Sequence, residues 1–138
     1  MPRGAESEAA VRLAPGQEPL YEIKANLFKA LAHPARIRAL ELIRDAPGGS
    51  ATVAYLLARI NIEASHLSQH LRVLRRHGVV VSERRASNVV YSLAHPGVAA
   101  LLGIARDFLL DGLEEADAQR AERLLGPGPA EQRAGDAR

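Results

Sequence analysis

Four polar side chains recur at helical spacing in the middle of the chain, and their chemistry suits the edges of DNA bases. They stand at positions i, i+3, i+4 and i+7, so a helix places them on one face: Ser65, Ser68, Gln69 and Arg72. Glutamine can bond to adenine, arginine to guanine, and serine to either base. The pattern predicts a helix that reads base edges in a DNA groove, with the methyl group of Ala64 placed to meet thymine.

Basic residues flank this face and predict contacts with the DNA backbone. Arg75 and Arg76 close the same helix, and Arg84 and Arg85 enter a polar turn further along the chain. Arginines in such places bind phosphates and make affinity depend on salt. The alternative is that they only complement the helix dipole or form an ordinary charged surface. The predicted DNA-binding residues are Ala64, Ser65, His66, Ser68, Gln69, His70, Arg72, Arg75, Arg76, Arg84, Arg85, Ser87 and Asn88.

The charge of the chain is unevenly distributed. The formal net charge is only +2, yet residues 65–90 hold five arginines against one glutamate. Residues 111–125 hold five acidic side chains against two arginines. A basic centre and an acidic end indicate that one region alone faces a polyanion.

Composition excludes several classes of protein. The 138 residues are 47% hydrophobic, enough for one core, and they include no cysteine, which excludes disulfides, thiolate metal sites and cysteine nucleophiles. No apolar run reaches the ~20 residues of a membrane span, and residues 1–16 lack the apolar segment of a secretion signal, so a cytoplasmic protein without membrane contact is expected. No nucleophile–base pair or phosphate-binding loop appears, so we do not expect an enzyme.

Apolar spacing predicts four helices before the polar turn. The first carries Leu20 and Ile23 on its apolar face, and the second spans about residues 35–44 with Pro34 in its first turn. Thr52 is expected to cap a short third helix over residues 53–59, and Asn61 to adopt a left-handed conformation in the turn that follows. The fourth helix spans residues 64–77 and buries three leucines: Leu67, Leu71 and Leu74.

The periodicity then changes to that of a β-hairpin. Residues 79–84 and 89–93 are rich in β-branched side chains and are separated by the polar turn 85–88. A fifth helix begins at Pro96 and either stops near Gly112 or continues to Leu125. The predicted fold is mainly α with a β-hairpin wing, a winged helix-turn-helix of order α-α-α-α-β-β-α. We divide the chain into a flexible tail (1–19), the winged domain with its dimerisation elements (20–114), and an acidic helical extension with a flexible tail (115–138).

Three stretches of the chain resemble the ArsR/SmtB family of bacterial repressors. They are residues 27–38 (LFKALAHPARIR), residues 67–78 (LSQHLRVLRRHG) and residues 89–93 (VVYSL), and the resemblance covers about residues 20–113. It implies a DNA-binding repressor that acts as a homodimer held by its first and last helices. The alternative is that these apolar faces close a monomeric core. The residues expected in the dimer interface are Leu20, Ile23, Leu27, Leu101, Leu102, Leu109 and Leu113.

The metal sites of that family are not retained here. The third-helix set needs cysteines, which this chain lacks. The last-helix set, aligned on residues 90–93, falls at His95, Gly97, Phe108 and Asp111, of which two could be ligands, whereas a closed tetrahedral site takes about four. No metal or other cofactor is therefore predicted. The residual candidates for a nickel or zinc site are His95, Asp107 and Asp111.

Three functions stay open on the sequence. The first is a repressor bound to a double-stranded operator, released by a small molecule or a protein co-regulator. The second is a nickel- or zinc-responsive sensor with a divergent His/Asp site. The third is a winged-helix module that binds proteins, because a fold does not fix a function. The polar helix face and the arginines of the wing favour the first.

Overall fold

The computed structural model describes Gly16 and residues 18–125. Most of the predicted N-terminal tail, and residues 126–138 of the predicted C-terminal segment, lie outside the described residues. The chain divides into two units, residues 1–95 and residues 96–138. The first contains the helix-turn-helix and the wing, and the second contains the last helix.

Two helices open the first unit. Helix α1 spans Leu20–Leu31 and helix α2 spans Pro34–Asp45. The turn between them is closed by His33, whose Nδ1 accepts a hydrogen bond from the backbone N–H of Ala35 at 3.1 Å. Pro34 occupies the first turn of α2, as predicted, where its missing N–H is not required.

The helix-turn-helix follows. Helix α3 spans Val53–Leu57 and helix α4 spans Ala64–Arg76. Thr52 caps α3 as predicted, since its side chain accepts a hydrogen bond from the backbone N–H of Tyr55. Helix α3 ends two residues before the predicted limit of 59, because the backbone tightens there: Arg59 and Ile60 both donate to the carbonyl of Leu56.

The prediction of a left-handed Asn61 is wrong. Among the described residues other than glycine, only Ala86 has a positive φ. The turn is instead made by short-range bonds, with Ile62 donating to the carbonyl of Ile60 at 3.0 Å. Such bonds reverse the chain without the conformational cost of a left-handed residue.

A three-stranded antiparallel sheet forms the wing and its base. Strands β1 (Ser50–Thr52), β2 (Val80–Arg85) and β3 (Asn88–Leu93) lie in the order β1-β3-β2. The hairpin β2–β3 was predicted, whereas no strand was predicted before it. Strand β1 is three residues long, too short to show an alternating pattern, and a 3-10 turn over Pro47–Gly49 leads into it.

The core of this unit lies between α2, α3, α4 and the sheet. Eight large side chains are under 2% exposed, and the predicted leucines of α4 are among them. They are Leu40, Ile43, Leu56, Leu67, Leu71, Leu74, Val79 and Val80. Helix α4 therefore rests on the core by one face and turns the opposite face outward.

The described part of the second unit is one long helix. Helix α5 spans Pro96–Leu125, so it continues through Gly112 and through the predicted boundary at residue 114. From Ile104 to Arg120 every residue is exposed. The large apolar side chains among them include Ile104, Phe108, Leu109 and Leu113, which are 57–77% exposed.

Candidate nucleic-acid interface

The polar face of α4 is presented to solvent in full. Leu67, Leu71 and Leu74 are each 0% exposed and fix the rotation of the helix. As a result, the side chains on the opposite face of the helix point away from the core. The exposed residues of this face are Ala64, Ser65, His66, Ser68, Gln69, Arg72, Arg75 and Arg76.

The wing is tied to α4 by a hydrogen bond. Arg75 Nη1 donates to Ser82 Oγ on β2 at 3.3 Å. Alternate residues of a strand share a face, so Arg84 lies on the same side of β2 as Ser82. This side faces the end of α4, which packs against β2. Arg84 therefore lies on the side of the wing that faces α4.

Arg85 lies on the other side of β2. Its Nη2 approaches Glu83 Oε2 at 3.4 Å, and both side chains are more than half exposed. A pair in this setting is weak, since solvent screens it. The two arginines of the wing are thus not equivalent.

The tip of the wing is a two-residue turn. Ser87 and Asn88 are exposed there, and Ala86 has a φ of +54°. A positive φ at the first central residue is a feature of the primed turns, whose twist suits a hairpin. The tip therefore presents short polar side chains beside the arginines.

His70 is less exposed than the other residues of α4 that were predicted to contact DNA. It is only part-exposed, its Nδ1 accepts a hydrogen bond from Arg36 Nε at 3.2 Å, and its ring centroid lies 4.2 Å from that of His33. Burial, with further contributions from His33, Arg36 and His66, lowers the pKa of His70 from its ordinary value of 6.5. The neutral ring is thus favoured, as a ring nitrogen that accepts a hydrogen bond requires. His70 joins α4 to the turn before α2.

Arg36 is a residue that the sequence did not single out. Besides its bond to His70, its Nη1 donates to the carbonyl of Ala30 at 3.1 Å. The side chain lines an open groove of about 280 Å³ together with Gln69, His70, Arg72, Val73 and Arg76. Spacing along the chain could not reveal this, because Arg36 and His70 are 34 residues apart.

A second basic residue missed by the sequence is Arg59. Its guanidinium lies 3.5 Å from the ring centroid of Tyr55, and its Nη1 donates to the carbonyl of the same residue at 2.9 Å. The i, i+4 spacing of this pair was the available signal. Arg59 follows α3, the helix that precedes the polar face in the chain.

The residues expected to hold a dimer are unequally accessible. Leu20 and Ile23 on α1 are 63% and 49% exposed, and Leu27 is half-buried. On α5, Leu109 and Leu113 are well exposed, Leu101 is half-buried, and Leu102 is only 7% exposed. Leu102 is thus the least exposed of the seven positions, whereas the other positions retain apolar surface.

The candidate metal ligands form no cluster. His95, Asp107 and Asp111 are exposed, and Asp107 lies 3.9 Å from Arg106 Nη1. In the part of the chain that the structure describes, no three His, Cys, Asp or Glu side chains are placed to hold a metal ion. No helix among the described residues has the length and apolar character to cross a membrane.

Comparison with known proteins gives a consistent result. Residues 31–83 match the model of a helix-turn-helix domain family. The chain is 50% identical over 94 residues to the HTH-type transcriptional regulator Rv0081 of Mycobacterium tuberculosis, which covers 67% of this chain and 79% of that protein. It is 36% identical over 87 residues to the HTH-type transcriptional regulator YgaV of Escherichia coli. This match covers 62% of this chain and 85% of that protein.

Solved structures share the fold. The crystal structure of Rv0081 matches with a TM-score of 0.66 at 47% identity and covers 74% of this chain and 100% of that chain. A solution structure of a homodimeric winged helix-turn-helix DNA-binding domain from Mycobacterium bovis matches with a TM-score of 0.63 at 24% identity. It covers 75% of this chain and 95% of that chain. The predicted winged helix-turn-helix fold is confirmed.

Proposed function

This chain belongs to the ArsR/SmtB family of winged helix-turn-helix transcriptional regulators, and on that premise we propose that it is a homodimeric repressor that reads its operator with α4. The observation that carries the proposal is the division of α4 into a buried leucine face and an exposed polar face. A helix fixed in this way can enter the major groove as a rigid body, with the wing beside it.

The first half of α4 is proposed to contact the base edges. Ser65, Ser68 and Gln69 are exposed near the N-terminal end, the part of a recognition helix that contacts base edges. The side chain of Gln69 can form a paired hydrogen bond to adenine, and Ala64 can pack on a thymine methyl. Sequence preference is therefore expected to depend most on Gln69.

Backbone binding falls to the end of α4 and the tip of the wing. Arginine side chains there are exposed and reach outward beside the base-reading face, while short polar side chains at the tip can donate to phosphate oxygens. These contacts supply affinity and register, not sequence preference. The residues assigned to this role are His66, Arg72, Arg75, Arg76, Arg84, Arg85, Ser87 and Asn88.

Two copies are needed to make a specific complex. One recognition helix covers a small half-site, so a twofold dimer on a palindromic operator is expected. The apolar side chains exposed on α5, Leu109 and Leu113 among them, supply surface that a second copy would bury. Leu113→Glu should shift sedimentation equilibrium towards monomer, whereas Val81→Glu, an exposed position on β2, should leave it unchanged. An unchanged dimer in Leu113→Glu would assign the contact to another face.

The proposed repression needs only occupancy of the operator, which excludes other proteins from the same DNA. The chain then acts in the cytoplasm where that DNA lies, without catalysis and without a resident cofactor. Release by a small molecule or a partner protein is part of the proposal. A reporter gene placed behind the operator should be silenced when the chain is expressed, and higher expression would assign activation instead.

Selection of duplexes from a random pool by the purified chain tests DNA reading directly. One enriched palindromic motif is expected. Gln69→Ala should reduce the preference for that motif over a scrambled duplex by ~1–3 kcal/mol, the usual worth of a paired base contact. Gln119→Ala on α5 is the matched control and should change nothing. A wild-type chain that enriches no motif would refute the proposal and favour a protein-binding module.

A further inference from the structure

The groove between α2 and α4 is lined by three guanidinium groups, of which Arg36 alone lies outside the residues already assigned to DNA binding. Arg36 comes from α2, and Arg72 and Arg76 come from α4 one turn apart. Within residues 18–125 none of the three is paired with a carboxylate, although five other arginines are. Three like charges around one open groove of about 280 Å³ repel one another unless an anion lies between them.

Arg36 is held in place before any ligand arrives. Its Nε is bonded to His70 and its Nη1 to the carbonyl of Ala30, and the side chain is half-buried. These two bonds use neutral acceptors, so the positive charge is positioned but not neutralised. The remaining N–H groups of the guanidinium can donate to a tetrahedral anion, and little side-chain entropy is lost when they do.

The position of the groove indicates which anion it takes. Gln69 borders the groove and also belongs to the base-reading face of α4. A strand of DNA whose bases meet Gln69 must pass its backbone along the side of the helix where Arg72 and Arg76 lie. We infer that the groove binds one backbone phosphate of the operator in each half-site, and that Arg36 is a phosphate contact from outside the helix-turn-helix; this rests on the proposed function.

Two variants separate charge from positioning, because both replace the guanidinium that donates to His70 and to the carbonyl of Ala30. Arg36→Gln also removes the charge, whereas Arg36→Lys keeps it. With the selected duplex, Arg36→Gln should reduce the slope of log K against log salt by ~1.8 for a dimer, about 0.9 for each phosphate that Arg36 no longer neutralises. Arg36→Lys should retain most of the wild-type slope. Arg38→Ala, a neighbour on α2 that is 3.7 Å from Glu41, is the matched control and should leave the slope unchanged.

The outcomes are distinguishable. A wild-type slope in Arg36→Gln would refute the groove while leaving the proposed function intact, and an equal reduction in both variants would make Arg36 a positioning residue only. A wild-type chain without affinity for duplex DNA would refute the proposed function itself.

A measurement on the unaltered chain covers the case in which the variants do not fold. The Nε–H resonance of Arg36 should shift when the selected duplex is added. Inorganic phosphate at the same ionic strength should leave it in place, whereas an equal shift with phosphate would make the groove a site for free phosphate. A resonance unmoved by DNA would overturn the inference.

Discussion

Arg84 provides a quantitative test of how the wing contributes to DNA binding. It lies on the side of β2 that carries Ser82, which is bonded to Arg75 of α4. Its side chain is exposed, and among residues 18–125 no carboxylate pairs with it. We expect Arg84→Ala to weaken binding to every duplex and to reduce the salt dependence of binding.

The size of the effect follows from counterion release. Each phosphate contact contributes about 0.9 to the slope of log K against log salt, so removal of Arg84 from both subunits lowers the slope by ~1.8. The ratio of wild-type to variant affinity therefore depends on salt. When salt rises fourfold, from about 50 to about 200 mM, a slope difference of ~1.8 reduces this ratio about 12-fold. The deficit should be the same for the selected and the scrambled duplex, since a phosphate carries no sequence information.

Fluorescence anisotropy with a labelled duplex at several salt concentrations measures both quantities. Arg84→Lys should keep the slope because it keeps the charge. Arg106→Ala on α5, where the arginine is 65% exposed on its side chain, is the control for removal of an arginine elsewhere. Arg85→Ala should have a smaller effect, because Arg85 lies on the opposite side of the strand beside Glu83. A wild-type slope in Arg84→Ala would refute the phosphate contact, and a deficit confined to one duplex would indicate a base contact.

Three further predictions concern stability, each measured by urea denaturation. Leu71→Ala should lower the free energy of unfolding by ~2–5 kcal/mol because the side chain is 0% exposed, whereas Leu124→Ala, 75% exposed, should have little effect. Burial lowers the pKa of His70, so the unfolded chain binds this proton more readily and stability falls as the pH drops below 6.5. His70→Gln should weaken that dependence between about pH 7.5 and 5.5. Ala86→Gly should raise stability by ~0.5–1 kcal/mol, because relief of a left-handed alanine exceeds the entropy lost by glycine. A contrary sign in any of these would refute its premise.

Those parts of the structure that depend on strong local patterns could be predicted from the sequence. The leucines of α4 stand at helical spacing and are all buried, and the β-branched runs around residues 85–88 form the hairpin. Strand β1 could not be predicted, because Ser50–Thr52 is a strand only by pairing with β3, about 40 residues away. The prediction for the turn at Asn61 was wrong because backbone hydrogen bonds to nearby carbonyls make the turn without a left-handed residue.

The candidate site also contains residues that a local pattern predicts and residues that it does not. Exposure of Gln69 and Arg72 follows from their position opposite the leucines, so a periodic pattern was enough. The inward role of His70 was not predictable, because the sequence does not show which side chains of α2 meet α4. Arg36 was missed for the same reason. Residues that act through contacts between helices are visible only once the helices are packed.

The central place of β3 in the sheet has a consequence for the motion of the wing. Val90, Tyr91 and Ser92 are flanked by strands on both sides, whereas Asn88 and Val89 pair with β2 alone. Local opening of the hairpin should therefore start at the tip and stop at Val90, the first residue of β3 that also pairs with β1. Amide hydrogen exchange would then be fast at residues 85–89 and slow at residues 90–92. The tip can thus adjust to the DNA backbone while the base of the wing stays paired beside α3 and α4.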